Sequence, residues 1–230
     1  MALVVSDPSE LDHPIWSALT SGHASMALVH GRARRYPPSV SAFAAMEAPD
    51  PEAFDDLSHI VPRGERVALF TSEPVATPDT WQIDNEFWLH QMVCSVVSEA
   101  PSLAVRELDR NDVPEMLALT AATRPGPFLE DTILMGRYIG IRADAGRLAA
   151  MAGQRLHPSG FTELSAVCTD PAFRGRGYAA ALITILTADI WSQGRTPMLH
   201  VMTDNIAKRL YERLGFSVRR MIRFSLVGQR

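Results

Sequence analysis

Pro171-Ala172-Phe173-Arg174-Gly175-Arg176-Gly177-Tyr178-Ala179 lies between an apolar run at 162–168 that reads as a strand and one at 179–192 that reads as a helix. A helix start leaves backbone N–H groups unpaired, pointing outward at the positive end of the dipole. Two glycines let a bulky anion approach that backbone, and Arg174 and Arg176 add positive charge. The stretch therefore reads as a pyrophosphate cradle. It also reads as a plain strand-to-helix turn whose glycines only supply unusual dihedrals. Gly175-x-Gly177-x-x-Ala180 matches the dinucleotide fingerprint as well. That fingerprint wants its first glycine at the strand end, where Pro171 and Phe173 intervene here, and most of a doubly wound sheet afterwards. Roughly fifty residues remain.

Working outward, the spacing predicts a strand at 105–108. A helix follows, capped by Asn111 or Asp112, with Pro114 in its first turn. Pro125-Gly126-Pro127 breaks the chain. Residues 137–142 and 148–154 read as a hairpin around a turn with Asp144 and Gly146. A second turn at 157–160 leads to the strand at 162–168. In the helix at 179–192, Leu182, Ile185, Leu186 and Ile190 share a face able to pack on a sheet. A strand at 197–202, a helix at 206–214 stopping at Gly215 and a strand at 216–227 complete the order β-α-β-β-β-α-β-α-β. This is an α/β arrangement with a mixed sheet.

The first hundred residues carry no comparable motif. Residues 1–30 read as a helical or irregular lead with Trp16, Leu19 and Met26 turned inward. Residues 32–46 hold a Pro-Pro break and a short strand, with Arg32, Arg34 and Arg35 as a solvated surface. Residues 51–58 read as a short helix and 66–71 as a strand. Trp88, Leu89, Met92 and Val93 recur at roughly helical spacing. The segment 100–104 is the best boundary, dividing an N-terminal α+β region, 1–103, from a domain at 104–230. The first region reads either as a degenerate copy of the second fold or as a separate α+β domain. Either would wall one side of a cleft, since pockets favour domain junctions.

A net charge of −4 over 230 residues gives no basic excess for a nucleic-acid binder. No stretch approaches the ~18 apolar residues of a membrane span, and the first residues do not form a signal peptide. The expectation is a cytoplasmic protein. Cys94 and Cys168 are far apart and read as isolated thiols with no metal-ligand spacing.

Arg174-Gly175-Arg176-Gly177-Tyr178-Ala179 fits R/Q-x-x-G-x-G/A, and residues 207–216 (AKRLYERLGF) fit A-x-x-L-Y-x-x-L-G-F. At this separation and in this element order, residues 104–230 resemble the GNAT superfamily of acyl-CoA N-acyltransferases, most of all the branch of glycine N-acyltransferase-like enzymes. The resemblance implies a mixed central sheet flanked by helices, with acetyl-CoA or another short acyl-CoA as co-substrate and no metal. It implies that the pantetheine arm lies along Val167, Cys168 and Thr169. The pyrophosphate would sit on the loop Arg174, Gly175, Arg176, Gly177, Tyr178, Ala179 and Ala180. Asn205 is a further cofactor candidate, although the family spacing falls on Asp204 and Asn205 also reads as a helix cap.

The same resemblance makes Tyr211 the general acid, with ring packing as the alternative. It makes Glu163 the general base, with a salt bridge as the alternative. Strand alternation puts Glu163, Ser165 and Val167 on one face unless a bulge intervenes. Partial desolvation there would raise the carboxyl pKa toward that of a base. Cys168 reads as a small core residue, His157 as an exposed loop histidine, and Arg137 and Tyr138 as minor shapers of the acceptor pocket. The implied reaction is direct acyl transfer to a primary amine of a small molecule or amino acid, with a homodimer left open. The rival readings are a catalytically inactive acyl-CoA-binding or sensing protein and a nucleotide-dependent oxidoreductase.

Overall fold

The computed structural model describes residues 7–99, 101, 103–143 and 146–230. In chain order the elements are α1 (Pro14–Thr20), β1 (Leu28–His30), β2 (Ala33–Arg35), β3 (Ala44–Met46), α2 (Pro51–Ser58), β4 (Val67–Thr71) and β5 (Trp81–Cys94). Then come β6 (Arg106–Leu108), α3 (Val113–Thr123), β7 (Tyr138–Arg142), β8 (Leu148–Gln154), β9 (Phe161–Thr169), α4 (Tyr178–Ser192), β10 (Thr196–Met202), α5 (Lys208–Arg213) and β11 (Phe216–Gln229). Local chemistry sets the helix ends. Asp50 accepts the Ala53 N–H ahead of Pro51 in α2, and Asp109 and Asp112 form a reciprocal capping box before α3. Arg124, left-handed at φ 52°, ends α3 just before the Pro-Gly-Pro break.

Eight strands form one sheet in the order β4-β11-β5-β10-β9-β8-β7-β6. Only β9 and β10 run parallel; every other pairing in it is antiparallel. The α4 side chains Leu182, Ile183, Leu186 and Ile190 pack on one face. On the other, α3 covers β7 to β9, and α1 with the segment around Tyr36 and Phe43 covers the β4–β11–β5 end. β1, β2 and β3 make a small separate antiparallel sheet.

The strong elements fall where the sequence puts them, with three corrections. The residues at helical spacing around Trp88 form the strand β5. Leu89 and Met92 enter cores on opposite faces of the sheet, and a strand buried on both faces loses the clean alternation that identifies it. The segment 100–104 separates no sheets: β5, before it, lies between β10 and β11, both after it. Of that segment Ala100 and Ser102 lie outside the described residues, as does Asp144 of the expected hairpin turn. Arg35 is 2% exposed and paired with Glu65 rather than solvated.

Two irregularities shape the surroundings of β9. The β8–β9 register passes from Met151↔Cys168 to Gly153↔Ser165, so β9 holds one extra residue, and Ala166 sits at φ +51°. This bulge moves Val167 to the α4 face beside Leu164, while Ala166 and Cys168 face α3. The expected shared face of Glu163, Ser165 and Val167 is thereby broken. In addition, β9 and β10 pair only from Thr196↔Phe161 to Met198↔Glu163, and beyond that point the two parallel strands part. Among the described residues no helix is long and apolar enough to cross a membrane.

Candidate functional site

The parting of β9 from β10 opens a cleft of about 550 Å³. Val167, Cys168 and Thr169 line it from β9, Arg174 to Ala180 from the loop and the start of α4, and Asn205 from the turn after β10. All eleven residues expected to contact the cofactor therefore meet in one place. Arg124, Pro125, Leu210 and Arg213 complete its walls.

The loop combines open space with positive charge. Gly175 and Gly177 both have φ +78°, and a Cβ added at either would meet nothing within 4 Å. The space above them is free, and the left-handed backbone favours glycine. The first intrahelical bond of α4 comes from Ala181 N–H to the Gly177 carbonyl, which leaves the earlier amides of the turn pointing into the cleft. Arg176 stacks on Phe173 at 5.1 Å from its centroid, and Arg147 lies over the same ring at 5.0 Å. Neither Arg174 nor Arg176 has an ion-pair partner among the described residues. Asn205 also caps locally, its Oδ1 accepting the Ala207 N–H at 2.9 Å.

Glu163 does not have the environment expected of a base. It is 0% exposed. Arg155 grips it with both Nε and Nη2, at 2.8 and 2.7 Å. His200 Nδ1 donates to its Oε1 at 2.8 Å, and the Leu156 N–H reaches its Oε2 at 3.4 Å. Burial alone would raise its pKa; the Arg155 charge and hydrogen bonds, with those from His200, outweigh burial and hold the carboxyl far below the usual range. The expected raised pKa is corrected to a lowered one. The network runs on: His200 Nε2 lies 3.1 Å from the Gln91 amide nitrogen, which donates to the Leu11 carbonyl, while Gln91 Oε1 accepts from Arg219.

Tyr211, on α5, stands beside Leu210 and one helical turn beyond Ala207, both of which line the cleft; Tyr211 is not itself a lining residue and packs against the α4-side core. Burial pushes its phenol up to about 12, so it keeps its proton at neutral pH. Its ring also packs edge-on to Phe216 at 6.1 Å, the alternative reading from sequence. Burial raises the Cys168 thiol to about 11, which suits a core residue rather than a nucleophile. His157 is half-buried, its ring 4.9 Å from that of His23, and burial lowers its pKa to about 4. Arg137 pairs with Glu107 and Asp189, and Tyr138 is buried in the α3 core; neither lines the cleft or the pocket beside it.

That pocket, about 170 Å³, shares Arg124, Pro125 and Asn205 with the cleft. Phe70, Phe224 and Phe87 stand opposite one another across β4, β11 and β5, and Phe43 adds a fourth ring 5.0 Å from Phe70. His200 meets Phe70 edge-on at 4.8 Å. Phe43, Phe70, Phe87 and Leu89 all precede residue 103, so the N-terminal stretch does wall this pocket. Sequence reasoning missed Arg155, His200 and the phenylalanine row. The available signal was a single histidine in the apolar strand 198–202 (MLHVM).

A family model described as FR47-like protein matches residues 138–225. A GNAT-family protein from Novosphingobium aromaticivorans DSM 12444, described as a candidate acetyltransferase, is 37% identical to this chain. The match covers 96% of this chain and 99% of that one, with a TM-score of 0.88. The chain belongs to the GNAT family. A GCN5-related N-acetyltransferase from Kribbella flavida, 18% identical and covering 93% and 95% of the two chains at a TM-score of 0.59, shares the fold. The mycothiol acetyltransferase of Mycolicibacterium gilvum (strain PYR-GCK) is 33% identical over 90 residues. That stretch is 36% of this chain and 30% of the longer protein. The strand parting, the glycine loop and the two sequence motifs all fall within the residues that the FR47-like model matches.

Proposed function

We propose that this GNAT protein transfers an acetyl group from acetyl-CoA to a primary amine of a small molecule. The observation that carries the reading is the cleft between β9 and β10, floored by free strand backbone and closed by unpaired amides and arginines. A thioester-bearing diphosphate fits that order of surfaces: an extended arm along Val167 to Thr169, and charge at Gly175 to Ala180. The bound thioester supplies an electrophilic carbonyl and a thiolate leaving group.

The chain's own groups orient and balance the proton movements. The acceptor enters from the phenylalanine pocket as the neutral amine, and its nitrogen bonds the carbonyl carbon as the carbon–sulfur bond breaks. Tyr211 gives its phenolic proton to the departing sulfur, and the proton lost by nitrogen returns to Tyr211 through water in the open cleft. Glu163 takes no proton in this scheme. It is a positioning residue that fixes Arg155 and His200.

Thiol release from acetyl-CoA, followed across a panel of primary amines, tests the reading. Tyr211→Phe should lower turnover by roughly 10²-fold, the usual size of an acid contribution, with acetyl-CoA affinity unchanged. An unaltered rate would remove Tyr211 as the acid. Tight acetyl-CoA binding with no thiol release from any amine would instead mark a binding or sensing protein.

A further inference from the structure

The pocket beside the cleft has a composition that narrows the acceptor further, an inference that rests on the acetyl-transfer reading. Its volume of about 170 Å³ is close to that of an apolar cavity of about 150 Å³ known to hold one benzene ring. Phe87 and Phe224 stack at 4.4 Å and 13°, and Phe70 meets Phe224 at 5.9 Å and 61°. These rings offer both a face and an edge to a further aromatic group.

The polar groups are equally one-sided. Among the described residues lining the pocket there is no Asp or Glu. Two guanidinium groups reach it. Arg124 sits at the junction with the cleft and has no ion-pair partner among the described residues. Arg155, 9% exposed, uses Nε and Nη2 on Glu163 and lies 4.8 Å over Phe43. Its Nη1 makes no hydrogen bond among the described residues. Glu163 compensates the Arg155 charge, yet leaves that second edge free to donate. Polycationic acceptors find no carboxylate here; an acceptor with its own carboxylate finds the Arg124 guanidinium and the free Nη1 of Arg155.

We propose that the acceptor is an α-amino acid with an aromatic side chain. The ring enters the phenylalanine row, the carboxylate meets Arg124 and Arg155, and the amine is left at the junction with the cleft.

The experiment compares L-phenylalanine, phenethylamine, glycine and spermidine as acceptors in thiol release, with calorimetry of each against the CoA-saturated protein. Phenylalanine should exceed each of the others by at least about tenfold in kcat/KM, the equivalent of one charge-assisted hydrogen bond or more. Arg124→Asn removes the first guanidinium while keeping a residue at ease in the left-handed conformation. It should lower kcat/KM for phenylalanine about tenfold more than it lowers the value for phenethylamine, so that any loss of acetyl-CoA affinity, common to both acceptors, cancels in the ratio. Equal use of phenethylamine and phenylalanine, or preference for spermidine or glycine, would overturn the proposal. Acetyl-CoA binding without transfer to or binding of phenylalanine would overturn it and leave the cofactor site standing. Failure of acetyl-CoA to bind would remove the underlying reading as well.

Discussion

Glu163→Gln should destabilise the fold by about 3–5 kcal/mol at neutral pH, as removing one partner of a buried ion pair does. The carboxylate is wholly buried and receives hydrogen bonds from Arg155, His200 and the Leu156 amide. A neutral amide keeps the shape, loses the charge, and leaves the Arg155 guanidinium in the interior without its counter-charge. The pH dependence has a definite sign. The folded-state pKa of Glu163 lies below its unfolded value, so its contribution is fully present above the ordinary carboxylate range and is lost as pH falls toward the folded pKa. The gap between wild type and Glu163→Gln should therefore be widest near neutral pH and narrow on acidification. Urea titrations at a series of pH values measure it. A gap that stays constant down to the acid range, or one that widens there, would contradict the assignment. The same experiment separates a positioning role from the base role that the sequence implied, since a base needs a carboxyl that titrates near working pH.

Gly177→Glu should abolish acetyl-CoA binding while the protein still folds. Gly177 caps α4 at φ +78°, and its missing side chain faces open space. A β-carbon there meets no protein atom within 4 Å, so the effect of a glutamate falls chiefly on the occupant of the cleft: bulk and negative charge where the proposed diphosphate would sit. A non-glycine residue in the left-handed conformation also costs about 1–2 kcal/mol. Gly177→Ala carries that same backbone cost without the charge and serves as the control. Weakened binding in the alanine variant with complete loss in the glutamate variant is the expected pattern, read by calorimetry and thermal unfolding. Equal affinity in both variants would show that the loop is only a turn.

Most of the architecture was legible because its signals are local. Pro51 and Asp50 announce α2, the 3.6-residue spacing of Leu182, Leu186 and Ile190 announces α4, and the glycines at 175 and 177 mark the turn between β9 and α4. What was not legible depends on partners distant in sequence. Glu163 owes its low pKa to Arg155 across the β8–β9 turn and to His200, 37 residues later on a parallel strand. No local pattern states that register. The bulge at Ala166 lacks a glycine to mark it, and it reverses which face Val167 occupies. β5 hides because both of its faces are covered, and its place between β10 and β11 is set by pairings that reach across the expected boundary. The phenylalanine row exists only once β4, β11 and β5 are in register.

The most direct test of the cofactor cleft is a calorimetric titration of the purified protein with acetyl-CoA, CoA and NAD in parallel. Micromolar binding of both CoA species and none of NAD is expected, since the cleft joins an open strand edge to a diphosphate-sized loop rather than to a doubly wound sheet. Binding of NAD alone, or of none of the three, would contradict the assignment of the cleft to acetyl-CoA.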